Sequence, residues 1–215
     1  MRRHASGPRI ALWLLASCIA GQGWAADAWR AEYEIHEGAR RHALVVVRDD
    51  ARVEYRGSDA MPPRIWRRLD DGIERTEVFS GRGAVVVASP GDLRALDELP
   101  DWDTLAGIVP PSLRASLRGA GSAQRFGEDA TRLAGRDAAG RRVTLEWLDA
   151  VGLPADYRVA DYRLRLRSLE RVAATGAFTA IADLRTYDRA DLGDMPLDPF
   201  ARDYLDRFGK HRHAY

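Results

Sequence analysis

The residues of this chain that could do chemistry are a few histidines, a scatter of carboxylates and one cysteine. His211 and His213 flank Arg212 close to the C-terminus, and two histidines at that spacing supply half of a copper or zinc site. Further ligands would have to come from His36, His42 or Met195; the plainer reading of the segment is a solvated polar tail. Asp183, Asp188, Asp191, Asp194 and Asp198 invite a calcium site. Their spacing lacks the alternating D-x-D-x-D-G order of a calcium loop, and turn and cap roles explain them. No G-x-S-x-G occurs, no histidine sits in a nucleophile motif, and no spacing selects a carboxylate pair. The residues point to no catalytic site, cofactor or metal centre, so the expectation is a protein that is not an enzyme.

Location is written more clearly. Arg2, Arg3 and Arg9 form a basic head, Ile10 to Ala20 an apolar body, and Gly23-Trp24-Ala25 a small-residue exit. That order is a secretory signal peptide over 1–25, cleaved before Ala26. The apolar run falls well short of the ~20 residues of a spanning helix, and no later stretch reaches that length. Leu15-Ala16-Ser17-Cys18 also resembles the lipobox of bacterial lipoproteins, which gives an alternative, a lipoprotein anchored at Cys18. Cys18 is the only cysteine, so conventional cleavage leaves a chain held by its core with no disulfide. Loss of the three leader arginines leaves 30 basic against 32 acidic residues, near −2. The two signs alternate without a basic block, which excludes nucleic acid as the expected partner.

Along the mature chain, strands dominate. In Arg142 to Leu148, Val143, Leu145 and Trp147 share one face, and Arg142, Thr144 and Glu146 the other. Trp29, Ala31, Tyr33 and Ile35 alternate likewise with Arg30, Glu32, Glu34 and His36. Short turns link His42 to Arg48 and Arg52 to Arg56 to this strand as an antiparallel meander. Asp71-Gly72 suits a hairpin between Arg64 to Leu69 and Ile73 to Phe79, and Gly83 to Ala88 is a valine-rich run fit for burial on both faces. Residues 90–118 change character: helices are expected over Asp92 to Leu99 and Pro110 to Leu117, an insert covering one face of the sheet. Strands resume over 123–126, 130–135, 142–148, 156–159, 162–172 and 180–187, the Gly119 to Gly121 and Gly152-Leu153-Pro154 passages reading as breaks. Asp198-Pro199 starts a terminal helix, Phe200 to Phe208. The fold class is α+β, mostly β: a large antiparallel sheet with a helical insert and a C-terminal helix, one domain over 26–208, then a polar tail over 209–215.

The passage from Glu146-Trp147-Leu148-Asp149 through Gly152-Leu153-Pro154 resembles the tryptophan, acid, Gly-Leu-Pro passage of periplasmic lipoprotein carriers and receptors, the LolA/LolB/RseB superfamily. The order of elements, sheet then helices then sheet, is similar too. The resemblance implies a curved sheet forming an incomplete barrel, with the helical insert as a lid over a hydrophobic cavity. On that reading the cavity candidates are Trp29, Tyr33, Ile35, Tyr55, Leu145, Trp147 and Leu166 from the strands, with Trp102 and Leu105 from the lid. The expected role is an exported periplasmic binding protein for a hydrophobic ligand, a lipid or an acylated peptide or lipoprotein. The alternative is a protein-interaction or regulatory module on the same fold, with metal handling by the histidine tail a third idea.

Overall fold

A computed structural model describes residues 27–57 and 61–208. The expected leader, Cys18, His211 and His213 lie outside the described residues. Alternating apolar positions build β1 (Asp27–Glu37), β2 (Arg40–Arg48), β3 (Arg52–Arg56), β4 (Arg64–Leu69), β5 (Gly72–Phe79) and β6 (Ala84–Ala88). Helices α1 (Pro90–Ala95), α2 (Trp102–Gly107) and α3 (Pro111–Ser116) follow. Then come β7 (Arg118–Arg125), β8 (Glu128–Arg136), β9 (Arg142–Leu148), β10 (Leu153–Val159), β11 (Tyr162–Ala173), β12 (Arg185–Asp188) and α4 (Pro199–Phe208). The strands form one sheet in the order β12-β6-β5-β4-β3-β2-β1-β11-β10-β9-β8-β7, open and not closed into a barrel.

The expected architecture is present, with corrections of detail. The sheet is antiparallel except at one edge, where β12 pairs with β6 in parallel. The chain leaving β11 does not turn back as a hairpin but crosses to the far edge, and a strand reached that way is free to run parallel. The expected strand over 180–187 is therefore short, 185–188, because 174–184 serves as a strap. The insert holds three helices, not two: α2 has an Asp101 cap whose carboxylate accepts the Thr104 amide at 2.8 Å. Gly119 to Gly121 is a bulge inside β7, and Leu153-Pro154 already belongs to β10. The β4–β5 turn also differs in detail. Its two loop residues are Asp70 and Asp71, while Gly72 pairs with Leu69. Gly72 is needed for space, since a Cβ there would stand 2.9 Å from Pro90 of α1.

One face of the sheet is covered by the helices, and the other is covered over part of its width. On the lid face Ala31, Tyr33, Ile35, Val46, Val53, Leu164 and Leu166 form the main core under α2. Farther along, Ala84, Val86 and Tyr187 pack against Phe200, Ala201 and Tyr204 of α4. Between these patches Arg75 and Glu77 occupy lid-face positions in phase with Ile73 and Phe79. Arg75 reaches Glu98 at 2.9 Å, which also holds Arg189 at 3.0 Å, while Glu77 accepts the Tyr204 hydroxyl at 2.7 Å. The insert, β12 and α4 are thereby tied to one strand.

The opposite face carries the strap. Ala174, Ala177 and Phe178 pack on Ala28 and Val47, and Leu184 on Ile65, Val78 and Val85. Glu54, fully buried, anchors its middle. Its carboxylate accepts Arg56 at 2.9 and 2.7 Å, the Thr179 amide at 2.9 Å and the Thr179 hydroxyl.

Candidate functional site

The site grows from one arginine. Along β2, Leu44 and Val46 point into the lid-face core, and Arg48 is next in the same phase. A cation at an apolar position needs acceptors, and Arg48 finds them in three backbone carbonyls. Its guanidinium donates to the Ala106 carbonyl of α2 at 2.6 Å, to Val151 at 2.6 Å and to Gly152 at 3.4 Å. Val151 and Gly152 form the β9–β10 turn, which lies on β2's side of the lid only because the sheet curls. In strand order that turn is three spacings from β2, ~14 Å across a flat sheet. Burial lowers the Arg48 pKa, and nearby Tyr33, Tyr55 and Asp50 act against that shift.

Two glycines make the approach possible. Gly152 has φ +70°, which favours glycine, and a Cβ there would come within 3.2 Å of the Arg48 guanidinium. Gly107 at the end of α2 faces Trp147, whose ring would stand 3.1 Å from a Cβ. Trp147 and Gly152, both part of the passage that carries the family resemblance, thus meet at the point where the lid touches the sheet. Arg114 of α3 covers the other side of Trp147, its guanidinium 4.3 Å from the ring centroid.

Tyr55 of β3 holds the same helix from the other side, its hydroxyl donating to the Leu105 carbonyl. Burial raises the Tyr55 pKa, with Tyr162 adding and Arg48 opposing, so the phenol stays a donor. Immediately after α2, Ile108 has φ +67°, a conformation that is strained for a β-branched residue by about 1–3 kcal/mol. The lid is thus pinned by side-chain bonds to its carbonyls and carries strain at its C-terminal end.

The structure places the sequence-derived cavity residues on one face in three adjoining groups. Tyr33, Ile35 and Leu166 are in the main core, with Trp29, Tyr55 and Trp102 packed around it. Leu145 and Trp147 lie beside them under Val109 and Leu113 of the α2–α3 region. Leu105 joins Tyr55 and Trp102 against Trp66, Ile73 and Leu93. Tyr33, Leu145 and Leu166 are each at most 3 % exposed, so these side chains fill the face they line. The Tyr33 hydroxyl is buried with no hydrogen-bond partner among the described residues.

Arg48, Arg114, Gly107 and Ile108's backbone were not singled out as site features by sequence. The available signal was Arg48's phase: an arginine continuing the Leu44, Val46 alternation is an apolar position occupied by a charge. The histidine idea gains nothing in the described part of the chain. Opposite Ile35 in the ladder stands His42, opposite Arg41 stands His36, so the two histidines lie on opposite faces. His36 pairs with Glu34 at 2.6 Å. Among the described residues no group of three potential metal ligands occurs. Of the aspartates, Asp198 caps α4 by accepting the Phe200 amide at 2.8 Å and Ala201 at 3.1 Å. The Ala201 amide foremost holds its carboxyl below the usual range.

An open sheet, a mid-chain helical lid and a terminal helix make this a lidded half-barrel, the architecture the sequence resemblance implies. No family model and no curated protein matches the chain. Among solved structures it is similar to an uncharacterized conserved protein from Thermus thermophilus, at 13% identity over 76% of this chain and 91% of that one, TM-score 0.47. It is similar to PNGF-II at 8% identity over 79% of this chain and 32% of that one, TM-score 0.44. MucB follows at 16% identity over 75% of this chain and 60% of that one, TM-score 0.41. MucB in the Pseudomonas aeruginosa MucA/MucB complex gives 17% identity, 76% and 59% coverage, and a TM-score of 0.39. This chain spans about a third of PNGF-II and three-fifths of MucB.

Proposed function

We propose that the protein is an exported, periplasmic binding protein that holds an apolar chain, of a lipid or an acylated peptide or lipoprotein, on the lid face beneath α2. The observation that carries this reading is the way the lid is fastened. Arg48 and Tyr55 grip α2 through carbonyl oxygens, bonds that water or a ligand can replace, over a face made of aliphatic and aromatic side chains. Burying a ten-carbon chain is worth on the order of 7 kcal/mol at ~0.8 per methylene, above the ~2–4 kcal/mol of the latch. The chain would take over the contacts of Trp102, Leu105 and Ile108 with the sheet. The role is binding and not catalysis.

The test is titration of delipidated protein with a fluorescent fatty acid. Saturable one-to-one binding is expected, and an uncharged long-chain alcohol should bind more tightly to Arg48→Met, where the latch is gone. No binding by either protein refutes the reading. A second reading, a protein-interaction module, has its own support: Leu145, Leu148, Leu153 and Leu164 are fully buried, so the chain's own side chains already fill this face. MucB forms a complex with MucA. A protein that binds no fatty acid yet retains one partner through the lid or sheet surface would favour that module.

A further inference from the structure

We propose that the pocket beside the latch is an anion-binding subsite, which takes a carboxylate or phosphate group and thereby releases the lid. It is a pocket of about 300 Å³ between α2, α3 and the β9–β10 turn, lined by Arg48, Asp103, Gly107, Arg114, Trp147 and Gly152 among others. That volume suits a headgroup and not a whole lipid chain.

Two guanidiniums face this space without a carboxylate partner among the described residues. Arg48 gives its hydrogen bonds to neutral carbonyls, and Arg114 lies over the Trp147 ring. At the pocket over β8, β9 and β10 the lining arginines are instead ion-paired. Arg125 and Arg132 share Glu146 at 2.8 and 3.0 Å, and Arg158 and Arg163 share Asp156 at 3.1 and 2.6 Å. Asp103, exposed on the first turn of α2, is the single carboxylate in the lining and makes no ion pair among the described residues, so two cations face one anion. Trp147 adds a flat wall that holds Arg114 in place.

An anion in this pocket would compete with the carbonyls of Ala106 and Val151 for Arg48. A carboxylate or phosphate accepts two parallel bonds from a guanidinium, stronger than bonds to neutral carbonyls. Once Arg48 turns to the anion, α2 keeps the Tyr55 bond, the Arg68 guanidinium 5.2 Å from the Trp102 ring centroid and its apolar contacts. Headgroup recognition and lid opening become one event. The release matters to ligand entry only if an apolar chain follows, so that consequence rests on the function proposed above; the anion site itself does not.

The experiment compares decanoate, uncharged decanol and inorganic phosphate at constant ionic strength, by calorimetry and tryptophan fluorescence. Decanoate is expected to bind about tenfold tighter than decanol, the worth of one charged hydrogen-bonded contact. Arg114→Gln should bring the two affinities to within about threefold. Asp103→Asn should tighten decanoate two- to threefold, which a merely structural role would not produce. Phosphate binding that weakens in Arg114→Gln, with decanol not bound, would support the anion site with a free anion as its source and overturn the apolar-ligand reading. Equal affinities for decanoate and decanol, with no phosphate binding, would overturn the anion site and leave the apolar-ligand reading intact. A decanoate preference that survives Arg114→Gln unchanged would also overturn it.

Discussion

Replacing Arg48 by methionine keeps the aliphatic stem and removes the latch. Two short bonds from a charged donor, to Ala106 and Val151 at 2.6 Å, are lost, with the longer one to Gly152 at 3.4 Å. Bonds to a charged group are worth about 1.5–3 kcal/mol each. Two effects reduce the sum: the half-buried guanidinium no longer pays for its desolvation, and the freed carbonyls can take water from the adjoining pocket. A net ~2–4 kcal/mol against local opening remains, which is about thirty- to several-hundred-fold in the opening equilibrium at 1.4 kcal/mol per decade. Hydrogen exchange reads it directly. The Leu105 amide, bonded to Asp101 at 3.0 Å inside α2, should exchange faster by that factor. The Val78 amide of β5, bonded to Pro63 at 2.9 Å, should be unaffected. Unchanged Leu105 exchange would refute the latch. Equal acceleration at both sites would show that Arg48 supports the whole fold and not the lid.

Three further outcomes follow from individual residues. Gly152→Ala places a Cβ 3.2 Å from the Arg48 guanidinium at φ +70°, so a loss of about 1–2 kcal/mol in urea unfolding is expected, with Leu105 exchange accelerated as in Arg48→Met; a melting curve identical to wild type would contradict the close approach. Tyr33→Phe deletes a buried hydroxyl that has no partner among the described residues, and should add about 1–2 kcal/mol at neutral pH. Burial, and after it Tyr55 nearby, raise the Tyr33 pKa, so wild-type stability is full below the ordinary phenol value of ~10 and falls as pH rises above it. The phenylalanine variant should lessen that alkaline loss, and an unchanged pH profile would count against the assignment. Glu54→Gln leaves Arg56 without its counter-charge under the strap; a cost of about 3–5 kcal/mol and new proteolytic cleavage within 175–183 are expected, and an intact strap at wild-type stability would refute the anchor role.

Much of this fold is legible in the sequence because period-two alternation is a local property. Trp29 to Ile35 and Val143 to Trp147 assign their own strands and faces, and Asp198-Pro199 announces α4. The candidate cavity residues could be placed on one face for the same reason. α2 was hidden because six residues, WDTLAG, show too little periodicity, although the Asp101 to Thr104 cap was there to be seen. The glycines of β7 read as a break because a bulge tolerates in a strand what a regular ladder does not.

The strands, the two faces of each and the covering insert could be read from the chain alone, because each is settled within a few neighbouring residues. Three features emerged only with the folded molecule: 174–184 is a strap, β12 runs parallel to β6, and Arg48 meets Ala106 and Val151. Those partners lie 58 and 103 positions away from Arg48 along the chain. No local pattern encodes such a meeting; it exists because the sheet curls and a buried guanidinium must find oxygen wherever the fold supplies it.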